Sequence, residues 1–290
     1  MSISTRLSIA RAPDFTAEEP TDTLVLTGRQ YFVDQRVTLT TASAVFAPST
    51  STGTPATGTN GANGANGTNA AIDLTTRPRR RGGPELSRCM LDWAFAGLRE
   101  SVPDSRPGHS HCKWTHLVSS DPLTLVTDAN TPVDEGSMRP HPDHPNIPEL
   151  ALEVGNEVDD DGTLIEYREV WWDDRAAPGD AVLFWEYLGA GGNENGHGNG
   201  LNRGFLGIVG RYAIGMGRLN GNFWTWRALK AVDGRGWEVL FTRGGVAEKP
   251  EGWALLGVKI DQLEPGAKVV SSSADGATRE WICREAWMAE

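Results

Sequence analysis

Ile165-Glu166-Tyr167-Arg168-Glu169-Val170-Trp171, near the middle of the chain, returns at its end as Trp281-Ile282-Cys283-Arg284-Glu285-Ala286-Trp287. Both stretches carry Arg-Glu-x-Trp, and both alternate in the period of two that a strand requires. Two further echoes precede them in the same order. Trp93-Ala94-Phe95-Ala96-Gly97 answers to Tyr212-Ala213-Ile214-Gly215, and Trp114-Thr115-His116 answers to Trp224-Thr225-Trp226. Matches that keep their order predict a duplicated module, with one unit over residues 1–173 and a second over 174–290.

The rest of the chain reads as short strands. Trp237, Val239 and Phe241 alternate with Glu238, Leu240 and Thr242, and Tyr31, Val33, Val37 and Leu39 with Asp34, Arg36 and Thr38. In each case the apolar set predicts the inner face. Further strands are predicted over Thr21–Thr27, Leu91–Gly97, Lys113–Val118, Ala181–Tyr187, Phe205–Ile214, Trp224–Ala228 and Trp253–Ile260. Three stretches predict loops instead. Residues 47–84 are rich in Gly, Asn, Thr and Ala, which bury too little apolar surface to offset backbone ordering, roughly 1–2 kcal/mol per residue. The Pro-rich run from Asp128 to Gly162 and the Gly-rich run from Gly189 to Gly204 have no regular pattern. The expected fold is all-β: two tandem antiparallel β-barrels, each closed by its Arg-Glu-x-Trp strand, with a disordered insert at 47–84 in the first.

Composition narrows the function. The chain has 290 residues, 39% hydrophobic, with 11 Trp, enough for packed cores. No apolar run approaches the ~20 residues that a membrane helix needs. A net charge of −11 argues against a nucleic-acid binder, which needs a basic face to neutralise phosphates. Met1–Ala10 lacks the basic start and apolar core of a signal peptide, and the three cysteines are odd in number and far apart. A cytoplasmic protein is expected, also nuclear if the basic cluster Arg77–Arg81 serves import rather than lying as a solvated charge run.

Taken together, Leu91–Gly97, Tyr167–Trp171, Gly210-Arg211-Tyr212 and the Trp237 hairpin resemble the fungal Hri family. The resemblance covers most of the chain outside the insert. It implies two tandem lipocalin-like barrels, and, from the family's name, interaction with a protein kinase of the casein-kinase-I type. It brings no catalytic residue and no cofactor.

The candidate site residues come from the repeated strand. Alternation puts Glu169 on one face with Tyr167 and Trp171, and Glu285 on one face with Cys283 and Trp287. If that face lines the barrel, each carboxylate is a polar anchor in a ligand cavity or half of a structural ion pair, with Arg211 or Lys113 as the cation; otherwise it is a rim residue in water. Arg168 and Arg284 point the other way. Trp226 and the other strand tryptophans either wall a pocket or fill a core. His109, His111 and Cys112 match no standard zinc spacing, so no metal is predicted. No nucleotide loop or nucleophile elbow occurs, so the protein is expected to be non-enzymatic. Two readings remain: an adaptor, or a carrier of a small apolar ligand in a barrel cavity. An open cavity of about 300 Å³ or more would favour the carrier.

Overall fold

A computed structural model describes residues 1–39, 86, 89–121, 131–158, 161–189, 202–233, 236–244, 250–272 and 277–290. The expected insert at 47–84, the cluster Arg77–Arg81 and most of the Gly189–Gly204 run lie outside the described residues. The fold is all-β. Its strands are β1 (Ser2–Arg11), β2 (Thr21–Thr27), β3 (Tyr31–Thr38), β4 (Met90–Pro103), β5 (Ser110–Ser119), β6 (Val133–Pro140), β7 (Leu150–Val158) and β8 (Leu164–Arg175), then β9 (Ala181–Leu188), β10 (Arg203–Val209), β11 (Tyr212–Leu219), β12 (Asn222–Lys230), β13 (Trp237–Arg243), β14 (Lys268–Ser272) and β15 (Thr278–Met288).

Strands β1 to β8 close an antiparallel barrel in sequence order, with β8 returning to pair with β1. The second half forms a seven-stranded sheet in the order β13-β12-β11-β10-β9-β15-β14. Its circular order is that of the first barrel with one strand omitted between β13 and β14. Those two edges do not pair with each other among the described residues, so the barrel expected there is present only as this sheet. The omitted strand's place in the chain holds two 3-10 turns, Trp253–Gly257, where the sequence had predicted a strand, and Ile260–Gln262. Gly252, at φ +75°, redirects the backbone at the entry, and Leu255 then plugs the core. The predicted run Phe205–Ile214 is a hairpin, broken at Gly210 with φ +58°. Within the supposed loop 128–162 lie β6 and β7. Of the three echoes, only β8 and β15 hold equivalent places; the other two fall one strand out of step.

The largest core lies between the two halves. Leu24, Leu26, Val33, Ala94, Ala96 and Val118, on the outside of the barrel, meet Val182, Phe184, Phe205, Ile214 and Met216 of the second sheet. Val33 therefore faces the second half, not the barrel interior. Polar groups seal this contact. Arg227 donates through Nε to Gln35 Oε1 at 2.9 Å and through Nη2 to the Gln35 carbonyl at 2.8 Å. Gln35 Nε2 in turn donates to Thr225 Oγ1 at 2.7 Å. Arg218 Nη2 reaches the carbonyls of Ser119 and Asp121 at 2.8 and 2.7 Å. The other face of the second sheet buries Trp185, Trp224, Trp226 and Trp281 against the 3-10 segment. No helix among the described residues is long and apolar enough to cross a membrane.

Candidate functional site

The barrel interior is hollow. It holds a cavity of about 440 Å³ that runs along β8 past Leu164, Tyr167, Glu169, Trp171 and Asp173. Alternation along β8 turns these odd-numbered positions inward from Tyr167 on. Across the cavity stand Phe32, Asp34 and Arg36 of β3, Trp93 and Phe95 of β4, Trp114 of β5, Met138 of β6 and Glu153 of β7. Exposed Val133, Val158 and Leu164 also line it and give it an apolar lip.

Charged groups form a network on one side of this space. Arg6 donates to Glu169 Oε1 at 2.5 Å and to Glu19 Oε2 at 2.9 Å, with both side chains of each pair almost fully buried. Arg36 donates to Asp34 Oδ2 at 3.0 Å and lies 3.5 Å from Glu169 Oε1. Its guanidinium also sits 5.0 Å from the centre of the Trp93 ring, within cation–π range. The Tyr167 hydroxyl donates to Glu153 Oε1 at 2.8 Å. Among the described residues, two polar atoms of side chains at the cavity find no hydrogen-bond partner: the buried acceptor Asp34 Oδ1 and the buried donor Trp171 Nε1.

Room for Glu153 and Tyr167 comes from two glycines paired across β6 and β7, Gly136 and Gly155. A Cβ on Gly136 would press on Glu153, and one on Gly155 would overlap the Tyr167 ring. Burial then sets the protonation of these groups. It pushes the Glu153 carboxyl up to about 8, with the neighbouring charge of Glu169 adding to the rise and the Tyr167 hydrogen bond opposing it. Burial likewise raises Asp34, against the pull of Arg36, and raises the Tyr167 phenol. At neutral pH Glu153 is therefore mostly a neutral acid.

The sequence candidates separate into two groups. Glu169 and Trp171 line the cavity. Glu285 and Trp287 lie outside it, at the junction between halves: Glu285 accepts the backbone N–H groups of Arg29, Gln30 and Tyr31, and Trp287 stacks under the Arg29 guanidinium at 4.5 Å. Trp226 is packed in the second core, its Nε1 donating to the Glu251 carbonyl at 2.8 Å. Arg211 is turned to the surface, where its guanidinium donates to the Lys230 carbonyl, so it is not the cation of either glutamate. The cations of Glu169 are Arg6 and Arg36. Arg168 lies over Phe15, and Arg284 pairs with Glu186. Among the described residues no group of three His, Cys, Asp or Glu side chains is arranged to hold a metal.

Sequence reasoning missed Arg6, Asp34, Arg36 and Glu153. Three of them carried a signal: Asp34 and Arg36 stand two apart on a strand, and Arg6 sits midway between Ile3 and Ile9 in another alternating run. Taking the apolar set of β3 as inner hid the pair, because those apolar side chains face the second half and the charged ones face the barrel's interior.

No curated protein matches the chain. Among solved structures, the crystal structure of the uncharacterized protein YLR301w from Saccharomyces cerevisiae is similar, with a TM-score of 0.58 and 14% identity over 99% of this chain and 98% of that one. At that identity the likeness concerns the fold alone. The family model described as Protein HRI1 matches residues 2–285, and with nearly the whole length spanned, the chain belongs to the HRI1 protein family.

Proposed function

We propose that this is a non-enzymatic intracellular binding protein, a lipocalin-like carrier whose first barrel receives a small ligand. The observation that carries this reading is the contrast between the two interiors. The first holds a space of about 440 Å³ walled by Trp93, Trp114 and Trp171. The second, built on the same strand order, is filled by its tryptophans. A cavity of this size with a few convergent polar groups is the usual form of a small-molecule site. The polar network makes the ligand amphipathic rather than purely apolar.

Titration of the full chain with a panel of small amphiphiles, read by tryptophan emission, tests the proposal. A saturable change is expected with at least one of them. Val25→Phe, which fills the cavity from its wall, is expected to abolish it. Silence across the panel, or full binding in the filled variant, would overturn the reading.

An adaptor for a protein partner, a casein-kinase-I-type kinase by the family resemblance, is the second reading. Support for it comes from exposed Val158 and Leu164, which flank the β7–β8 turn. Pull-down of such a kinase by the wild type and by Val158→Lys/Leu164→Lys tests it; equal capture by both would remove this support.

A further inference from the structure

We propose that the ligand of the first barrel is a small organic cation, an alkyl- or arylammonium whose charged head sits among Glu153, Asp34 and Trp114. This rests on the reading of that barrel as a small-ligand site and names its chemistry.

The charge inventory of the wall points this way. Six carboxyl groups line the cavity (Asp34, Asp134, Glu153, Glu157, Glu169 and Asp173), Glu153 mostly protonated at neutral pH, against two cations, Arg36 and Arg99. The cations are already engaged. Arg36 serves Asp34 and Glu169, with Arg6 completing Glu169, and Arg99 lends its charge to Asp173. Arg11 meets Glu157 at the rim. Among the described residues, Glu153 has only the Tyr167 phenol as its hydrogen-bond donor. An anionic ligand would add charge to a wall already in acidic excess, whereas a cation would relieve it.

Two independent features match a cationic head. Asp34 Oδ1, on a cavity-lining side chain 4% exposed, is a buried acceptor that finds no donor among the described residues. An acceptor in that state costs free energy until a donor or a positive charge reaches it. Arg36 already lies over Trp93 and Phe95, but the Trp114 ring lines the same space as well, and ring faces attract quaternary or protonated amines. The apolar lip of Val133, Val158 and Leu164 suits the tail.

Entry of a cation also has a consequence for protons. The charged and titratable groups around Glu153 are Tyr167 and Glu169 from β8, Arg36 from β3 and Asp134 from β6. A positive head beside Glu153 stabilises its ionised form, so binding near neutral pH expels the proton that burial had retained.

The test uses the full chain and three probes with one tail: octyltrimethylammonium, octan-1-ol and octanoate, each below its micellar concentration, by calorimetry at pH 7. The cation is expected to bind about tenfold or more tighter than the alcohol, with octanoate weakest. Measured in two buffers of different ionisation enthalpy, the cation is expected to release up to one proton per site, and octan-1-ol none. Octyltrimethylammonium carries no titratable proton, so any released proton comes from the protein. Glu153→Gln, which keeps the shape of a neutral acid, is expected to lose about tenfold in affinity for the cation and all proton release, with octan-1-ol unchanged. Trp114→Leu, which leaves every charge in place, is expected to narrow the preference for the cation. If octan-1-ol or octanoate binds as well as the cation, the ligand class is wrong and the carrier reading stands. If none of the three binds, both fall.

Discussion

Glu285, on the last strand of the chain, closes over Gly28 in the first hairpin so tightly that a Cβ on the glycine would overlap the carboxylate. The carboxylate oxygens accept N–H bonds from Arg29, Gln30 and Tyr31 at 2.9, 2.7 and 3.2 Å, which ties the two halves together at the β2–β3 turn. Glu285→Ala leaves those amides without an acceptor and is expected to cost about 2–4 kcal/mol. Glu285→Gln, which keeps one acceptor oxygen, should cost less. Urea unfolding of the three proteins checks the order; equal stability of wild type and Glu285→Ala would place the carboxylate in water.

The junction predicts that neither half unfolds alone. Leu24, Leu26, Val33 and Val118 would be bared if residues 176–290 were removed. A chain ending at Arg175 is expected to aggregate, and the full chain to melt in one transition. Arg227→Ala, which strips the donors to Gln35 and Asp22, should lower that single transition without splitting it. Calorimetry showing two separated transitions in the wild type would contradict this.

Within the barrel, Arg6 is the buried partner of Glu169 and Glu19. Arg6→Ala removes the buried cation that Glu19 and Glu169 share, leaving Glu169 only the more distant Arg36, and is expected to cost about 3–5 kcal/mol. Adding Glu169→Gln to it should recover part of the loss, because one stranded charge is removed. A double-mutant cycle from denaturation curves measures this coupling.

The elevated Glu153 carboxyl makes stability fall as pH rises. Its ordinary value is 4.5 and its folded value about 8, so between those limits the folded chain holds a proton that the unfolded chain has released. Stability from this group is fully present below pH 4.5 and is lost as pH rises through about 8, at ~1.4 kcal/mol per pH unit inside the window. The rise of Asp34 acts in the same direction. Melting temperatures measured from pH 5 to pH 8.5 should decline, and Glu153→Gln should flatten the decline. An unchanged slope in that variant would assign the effect to other groups.

Much of the strand pattern was legible. Thr21–Thr27 matches β2 residue for residue, and Ala181–Tyr187 is one residue short of β9. What failed was the assignment of faces. In β3 both faces are enclosed, one by the second half and one by the barrel wall, so polarity did not mark solvent. β6, reading Val-Asp-Glu-Gly-Ser-Met-Arg-Pro, looked like a loop because it lines a polar cavity on one side and meets water on the other. The repeated strand misled for a different reason. Its β-bulge falls on the partner β1 in the first barrel, between Arg6 and Ser8, but on β15 itself in the second half, between Cys283 and Glu285. An extra residue reverses the side-chain faces beyond it. Glu169 and Trp171 thus stay inside, while Glu285 and Trp287 turn to the junction. The cavity residues on other strands were harder to find, since nothing local marks a buried charge whose partner is distant in the chain, as Glu169 is from Arg6.

Strands β1 to β5 carry the apolar outer wall that leans on the second half, whereas β6 to β8 do not contribute to that contact. Five staves of the tube are thus braced from outside by this core and three are not. Under the carrier reading proposed above, a guest would enter on the side that this core does not cover.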